Sequence, residues 1–260
     1  MKKFILLTMI AAALFTGCKK NADNAENNAA NEKPKFIMGL DDSFPPMGFR
    51  DDNNEIVGFD VDLAKEVTKR LNMELVLQPI DWASKELELS TGNITCIWNG
   101  LSVSPEREEA MTLSKPYLAN KMIIITKTDS PLNKKADLEG KKVGLQTGST
   151  AVEALEKDPI SKKLTQITYD NNVLALTDLE IGRVDAVVMD EVVARYMLNK
   201  NKNTYKILND AFNKEYYAIA FKKGNTELKD KVEKVLAEMN ADGTSAEISK
   251  KWFGEDIVYK

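Results

Sequence analysis

From Phe36 onward, short apolar runs alternate with amphipathic ones, and this alternation most constrains what the chain can fold into. Phe36 to Leu40 reads as a buried strand. Asp60 reads as the cap of a helix carrying Leu63, Ala64, Val67 and Leu71 at three-to-four spacing. A second strand over Glu74–Leu77, a helix over Trp82–Ser90 that stops at Gly92, and a third strand over Ile94–Trp98 follow. The alternation then restarts. Strands are expected at Lys121–Thr126, Lys142–Leu145, Leu164–Tyr169, Ala186–Met189, Thr204–Leu208 and Tyr216–Phe221. Helices are expected at Ala151–Lys157, Val173–Ile181 and Glu191–Asn199. Glu227–Ala241 is a closing helix that stops at Gly243, and Thr244 with Glu247 reads as the capping box of a last one. Strand–helix alternation builds parallel sheets covered by helices on both faces. Two such units in one chain imply two lobes.

Composition narrows the chemistry. The chain has 260 residues, no histidine, and cysteine only at positions 18 and 96. Histidine bases, Ser-His-Asp triads and four-cysteine metal sites are therefore excluded. A net charge of -4 argues against a nucleic-acid partner. Cys96, inside the apolar run Ile94–Trp98, reads as a buried and inert thiol.

Ligands of open α/β sheets bind beyond the carboxyl ends of the strands. Four strand ends here carry polar or glycine-rich turns. They are Asp41-Asp42-Ser43, Asn99-Gly100-Leu101-Ser102, Gln146-Thr147-Gly148-Ser149-Thr150, and Asp190. Each alone could be a plain turn or cap; together they favour a site.

These residues also carry a resemblance. Phe44-Pro45-Pro46-Met47-Gly48-Phe49, Gly58-Phe59-Asp60-Val61-Asp62-Leu63, Ser102 with Glu106-Arg107, and Pro116-Tyr117 are similar to the periplasmic amino-acid-binding proteins of ABC transporters, solute-binding family 3. Gly140–Gly144, Asp190-Glu191 and Asn240–Thr244 extend the similarity over roughly Phe36 to Phe253. The resemblance implies an α/β fold of the two-lobe periplasmic-binding-protein type (type II). Its mixed sheets would be flanked by helices, with two hinge strands crossing near Ala119–Lys121 and Tyr216–Ala218. One lobe would comprise 36–119 plus 217–260 and the other 120–216. The implied function is high-affinity extracytoplasmic capture of an amino acid by hinge closure, and delivery to an ABC transporter permease.

The resemblance also implies roles. Arg107 would grip the ligand α-carboxylate, a task suited to a bidentate guanidinium. Ser102 and the Gly100 carbonyl would surround the ligand backbone from the first lobe, and Asn99 would be a ligand-binding residue bearing on side-chain preference. Thr150 and the amides of its helix start would clamp the carboxylate from the second, and Asp190 would pair with the α-ammonium. Phe44 and Trp82 would wall the side chain. Asp41 would face a side-chain ammonium in a binder of basic amino acids. Glu86 and Glu88 lean the pocket toward a cationic or polar ligand, whereas Gly100 is similar to members that take polar neutral amino acids. Thr95 stands where the family often has Asp, a structural difference. The expected partners are a free amino acid and the permease, with the chain acting as a monomer, without cofactor or metal. An enzyme of the same fold, dehydratase-like, and a ligand-sensing domain are the alternatives. Holding ammonium groups explains the carboxylates better than catalysis does, and a receptor sensor needs a membrane span after the domain.

The N-terminal segment reads as an address. Lys2 and Lys3 precede an apolar stretch, Phe4 to Phe15, and Thr16-Gly17 lead into Cys18. The stretch is too short to cross a bilayer core of about 30 Å comfortably. The pattern resembles the lipobox of bacterial lipoproteins, departing from it at Phe15. It implies a signal peptide over 1–17 and a diacylglycerol on Cys18, anchoring the chain to a bacterial membrane on its extracytoplasmic side. A plain secretory signal with a chance cysteine is the alternative. Lys19–Lys35, polar and without an aromatic residue, reads as a tether with a reach of about 20–25 Å. With lipidation, 18–35 forms the anchor and tether.

Overall fold

A computed structural model describes residues 33–200 and 204–259. The expected signal peptide, Cys18 and nearly all of the tether lie outside the described residues. In chain order the elements are β1 (Lys35–Leu40), β2 (Ser43–Phe44), β3 (Gly48–Arg50), β4 (Ile56–Val57), α1 (Phe59–Arg70), β5 (Glu74–Pro79), a 3-10 turn (Trp82–Ser84), α2 (Lys85–Thr91), β6 (Cys96–Ser102), α3 (Pro105–Ala110) and β7 (Thr112–Leu113). Next come β8 (Leu118–Lys127), β9 (Lys142–Gln146), α4 (Thr150–Glu156), β10 (Thr165–Tyr169), α5 (Asn172–Glu180), β11 (Ala186–Asp190), α6 (Glu191–Lys200), β12 (Tyr205–Phe221), α7 (Thr226–Ala241) and α8 (Thr244–Phe253).

The fold is the expected two-lobe α/β architecture with mixed sheets and hinge strands. Strand order is β10-β9-β11-β8-β12-β6-β1-β5, with β7 alongside β12. One lobe is built on β1, parallel to both β5 and β6. The other is built on β9, parallel to β10 and β11. Two long strands join them. The 17-residue β12 runs antiparallel to β8 through Tyr205–Tyr217, then antiparallel to β6 through Tyr217–Phe221. Its register slips between Ile207 and Lys214, and again between Ala218 and Ala220. The central strands are apolar on both faces because helices cover both: Ala186, Val187, Val188 and Met189 are all buried, as are Ala218 to Phe221.

Several boundaries differ from the sequence reading. Thr204–Leu208 and Tyr216–Phe221 belong to one strand, whose polar middle, Asn209 to Glu215, hides its continuity. Asn99 to Ser102 lies inside β6 rather than after it, and every residue of that strand is buried. Trp82 opens a 3-10 turn before α2, held by Asp81 accepting the Ala83 N–H. Thr244 is the first residue of α8, not its cap. Gly243 takes that position at φ 86°, and the Thr244 hydroxyl donates to Asp242. Asp60 is not a cap either. Gly58 precedes α1, and Asp60, fully buried, turns its carboxylate inward to the Gly100 N–H (2.7 Å) and the Tyr117 hydroxyl (2.9 Å). The small β2-β3-β4 sheet was not anticipated, since its strands are two or three residues long. Thr95 is structural, its hydroxyl accepting the Ile37 N–H at 3.0 Å. Cys96 is fully buried, and burial pushes its thiol pKa up.

Candidate functional site

The strand ends converge as α/β topology requires. Asp41, Phe44, Trp82, Asn99, Gly100, Ser102, Arg107, Thr150 and Asp190 all line one narrow cavity between the lobes, joined there by Gln146 and Ser149. Local structure accounts for three of these placements. Asp41 follows β1, where the Asn99 side chain takes its N–H at 3.1 Å. Arg107 is the third residue of α3, which Ser104 caps by accepting the Arg107 N–H and which Pro105 opens. Gly100 sits in β6 at φ +57°; a Cβ there would lie 2.8 Å from the Phe44 ring and 3.0 Å from Tyr217. A side chain at this position would be strained and would also fill the cavity.

Arg107 brings a cation to the lining, with Lys85 behind it. Arg107 is 5% exposed and donates to the Ser102 carbonyl (2.8 Å) and the Gly148 carbonyl (3.1 Å). Burial lowers its pKa, and the carboxylates of Glu153, Glu86, Glu215 and Asp190 oppose that shift. Lys85, also buried, donates to the same Gly148 carbonyl at 2.9 Å and to the Trp82 carbonyl at 3.2 Å. Burial, and Arg107 after it, lower the Lys85 pKa. Two first-lobe cations thus meet a second-lobe loop.

Asp190 ends β11 beside this group. Its Oδ1 accepts from Asn120 (2.6 Å) and from the Tyr217 hydroxyl (2.7 Å). Burial, and then the nearby Glu215, push its pKa up to about 7. Asp41, also in the lining, accepts the Ser43 N–H at 2.8 Å through Oδ1 and the Gln146 amide at 2.7 Å through Oδ2. Burial pushes Asp41 up to about 6, with Asp42 and Asp81 adding to the rise. A group whose charge is this costly is stabilised by an incoming cation.

Glu86 and Glu88 take no part in the lining. Glu86 pairs with Lys85 at 3.1 Å, and Glu88 accepts from Asn93 at 2.9 Å. Sequence reasoning missed Lys85, Glu215, Asn120 and Tyr217, which support the lining residues, and did not single out Gln146. Gln146 was within reach of it, since it stands at the end of a strand in a turn already flagged. Among the described residues no cluster of metal-ligating side chains is present, and no helix is long and apolar enough to cross a membrane.

Comparison with known proteins identifies a family. Residues 36–255 match the bacterial extracellular solute-binding proteins, family 3. The chain is 31% identical to the L-cystine-binding protein TcyJ of Escherichia coli strain K12, over 97% of this chain and 96% of that protein. It is 32% identical to the arginine-binding extracellular protein ArtP of Bacillus subtilis strain 168, over 97% and 98%. A crystal structure of an ABC uptake transporter substrate-binding protein from Streptococcus pneumoniae with bound histidine superposes with a TM-score of 0.83 at 34% identity, covering 92% of this chain and 99% of that one. The chain therefore belongs to the bacterial extracellular solute-binding proteins of family 3, which bind solutes without catalysing reactions on them.

Proposed function

We propose that this protein captures a free amino acid outside the cytoplasm, polar or basic ligands being favoured, and hands it to the permease of an ABC transporter. The observation that carries the reading is the charge layout of the cavity. Arg107 and Asp190, a buried guanidinium and a buried carboxylate whose charge acts on it, line the cavity together with a second buried carboxylate, Asp41. An α-amino acid presents a carboxylate and an ammonium on one carbon atom, which suits the first pair. A basic side chain would bring the cation that Asp41 lacks. Relatives named for cystine and arginine, and a structure holding histidine, support this class.

In this reading the lobes comprise 36–119 plus 217–260 and 120–216. They close about the crossings near Ala119–Lys121 and Tyr216–Ala218, where β8 and β12 run side by side. Closure is held by contacts between the lobes at the Gly148 carbonyl and at Asp41–Gln146. Cys18 carries the lipid that keeps the protein at the membrane.

The test is a thermal-shift screen of residues 36–260, unfolded and refolded to strip carried-over ligand, against the twenty amino acids, ornithine and cystine. A rise in midpoint with arginine, lysine, ornithine, histidine or cystine supports the reading. A rise with neutral ligands alone reassigns Asp41 to the scaffold. No rise with any of them overturns amino-acid binding.

A further inference from the structure

Glu215 lies in the connecting strand β12, opposite Asn120 of β8, and is 5% exposed. Its Oε2 accepts two hydroxyl protons, from Ser102 Oγ at 2.5 Å and from Thr150 Oγ1 at 3.0 Å. Its Oε1 accepts from the Asn213 amide at 2.9 Å. Ser102 belongs to β6 and Thr150 opens α4, so one carboxylate oxygen gathers a hydroxyl from each lobe onto a strand that joins them. Ser102 and Thr150 are both lining residues of the cavity.

A hydroxyl has one proton and two lone pairs. With both protons committed to Glu215, Ser102 and Thr150 can offer the cavity only lone pairs. They are then acceptors toward a solute, beside Asp190, and cannot donate to its carboxylate. That task falls to Arg107 and to backbone N–H groups. We propose that Glu215 is the positioning residue that sets this hydrogen-bond polarity, and thereby selects solutes bearing a protonated amine next to the carboxylate. The inference rests on the amino-acid reading above and names the residue that enforces it.

The experiment has two arms, both on the full chain. The first needs no ligand. Denaturant unfolding of Ser102→Ala, Glu215→Leu and the double variant forms a cycle. The contact requires the two losses to be non-additive; additive losses overturn the proposal. The second arm measures binding of matched probes by calorimetry: L-arginine against 5-guanidinovaleric acid, and L-histidine against imidazolepropionic acid. Each second member lacks only the α-amine. Glu215→Leu is expected to weaken the amine-bearing probe about tenfold or more, the scale of a lost hydrogen bond to a charged group, and to spare its des-amino partner. Glu215→Gln keeps an acceptor oxygen for both hydroxyls and should retain the preference. Equal weakening of both members, or collapse of the preference in Glu215→Gln, overturns the polarity argument. If the wild-type chain binds none of the four probes, the amino-acid reading falls, and the unfolding cycle alone decides whether Glu215 holds the two hydroxyls.

Discussion

Gln146 donates its side-chain amide to Asp41 at 2.7 Å, linking two strand ends that lie 105 residues apart in the chain. The same amide nitrogen also donates to the Asp170 carbonyl at 3.1 Å, and Gln146 Oε1 accepts from Asn172 at 3.1 Å. Gln146 is thereby fixed from its own lobe and presents a donor to a carboxylate of the other. Asp41→Asn should cost a basic ligand such as arginine about 1.5–3 kcal/mol, the scale of a hydrogen bond to a charged group. A neutral polar ligand should be nearly unaffected. Calorimetry with both ligand types checks this, and equal losses would remove Asp41 from side-chain recognition.

Acidification should move affinity and stability in opposite directions. Asp190 and Asp60 are pushed up to about 7 and Asp41 to about 6, each chiefly by burial, from the ordinary value of 3.8. A carboxyl whose folded pKa is raised takes up protons in the folded chain before it does in the unfolded one. Its stabilising contribution is full below about 4 and is lost as pH rises through 6 to 7. The chain stripped of ligand should therefore melt higher at pH 5 than at pH 7.5. Ligand ammonium groups need Asp190 and Asp41 ionised, so affinity for arginine should fall over the same interval. The slope should approach one proton below about 7 and steepen below about 6. Asp190→Asn should flatten the upper part. Affinity independent of pH would show that neither carboxylate meets a cation.

The alternation of strand and helix was legible because central strands buried on both faces read as apolar runs, as in Ala186–Met189. Asp41, Ser102, Thr150 and Asp190 were legible because they stand at or just after strand ends, whereas Phe44, Trp82 and Arg107 were expected from the family resemblance; all share the cavity. What spacing could not reveal is where a buried polar side chain points. Asp60 looks like a cap in sequence, yet it reaches 40 residues along the chain to Gly100. Glu215 sits in a polar stretch between two expected strands, and only β-pairing shows it to be the interior of one long strand. Glu86 and Glu88 look like pocket acids, but they pair with Lys85 and with Asn93 beyond the helix end.

Gly100 joins backbone strain to pocket shape. Its φ of +57° would strain any L side chain, and a Cβ would meet Phe44 at 2.8 Å. Gly100→Ala should lower stability by about 2 kcal/mol and weaken binding at the same time, as the Phe44 wall is displaced. Asp60→Ala should cost about 2–5 kcal/mol of stability by stranding the Gly100 N–H and the Tyr117 hydroxyl. Denaturant unfolding reads both, and wild-type stability in either variant would contradict the burial argument.

The proposed lipid anchor lies apart from the cavity in the sequence. Cys18→Ala should release the protein from membranes into the soluble fraction and leave ligand affinity unchanged, because every cavity-lining residue lies beyond position 40. Fractionation of cells expressing each form reads the outcome. Persistence of the variant in the membrane fraction would rule out a lipid on Cys18.

Arg107 is the most exacting residue to replace. It is the lining cation of a cavity that also holds Asp41 and Asp190, and its guanidinium spans the Ser102 carbonyl of one lobe and the Gly148 carbonyl of the other. Arg107→Ala removes the partner of a buried ligand carboxylate and should weaken binding by about 2–5 kcal/mol. Arg107→Lys keeps the charge but presents a point donor in place of a planar fork, and Lys85 already crowds the Gly148 carbonyl. The lysine variant should therefore recover only part of the loss. Calorimetry on both variants orders them as wild type, lysine, then alanine. A lysine variant equal to wild type would show that charge alone suffices, and an alanine variant equal to wild type would remove Arg107 from the ligand.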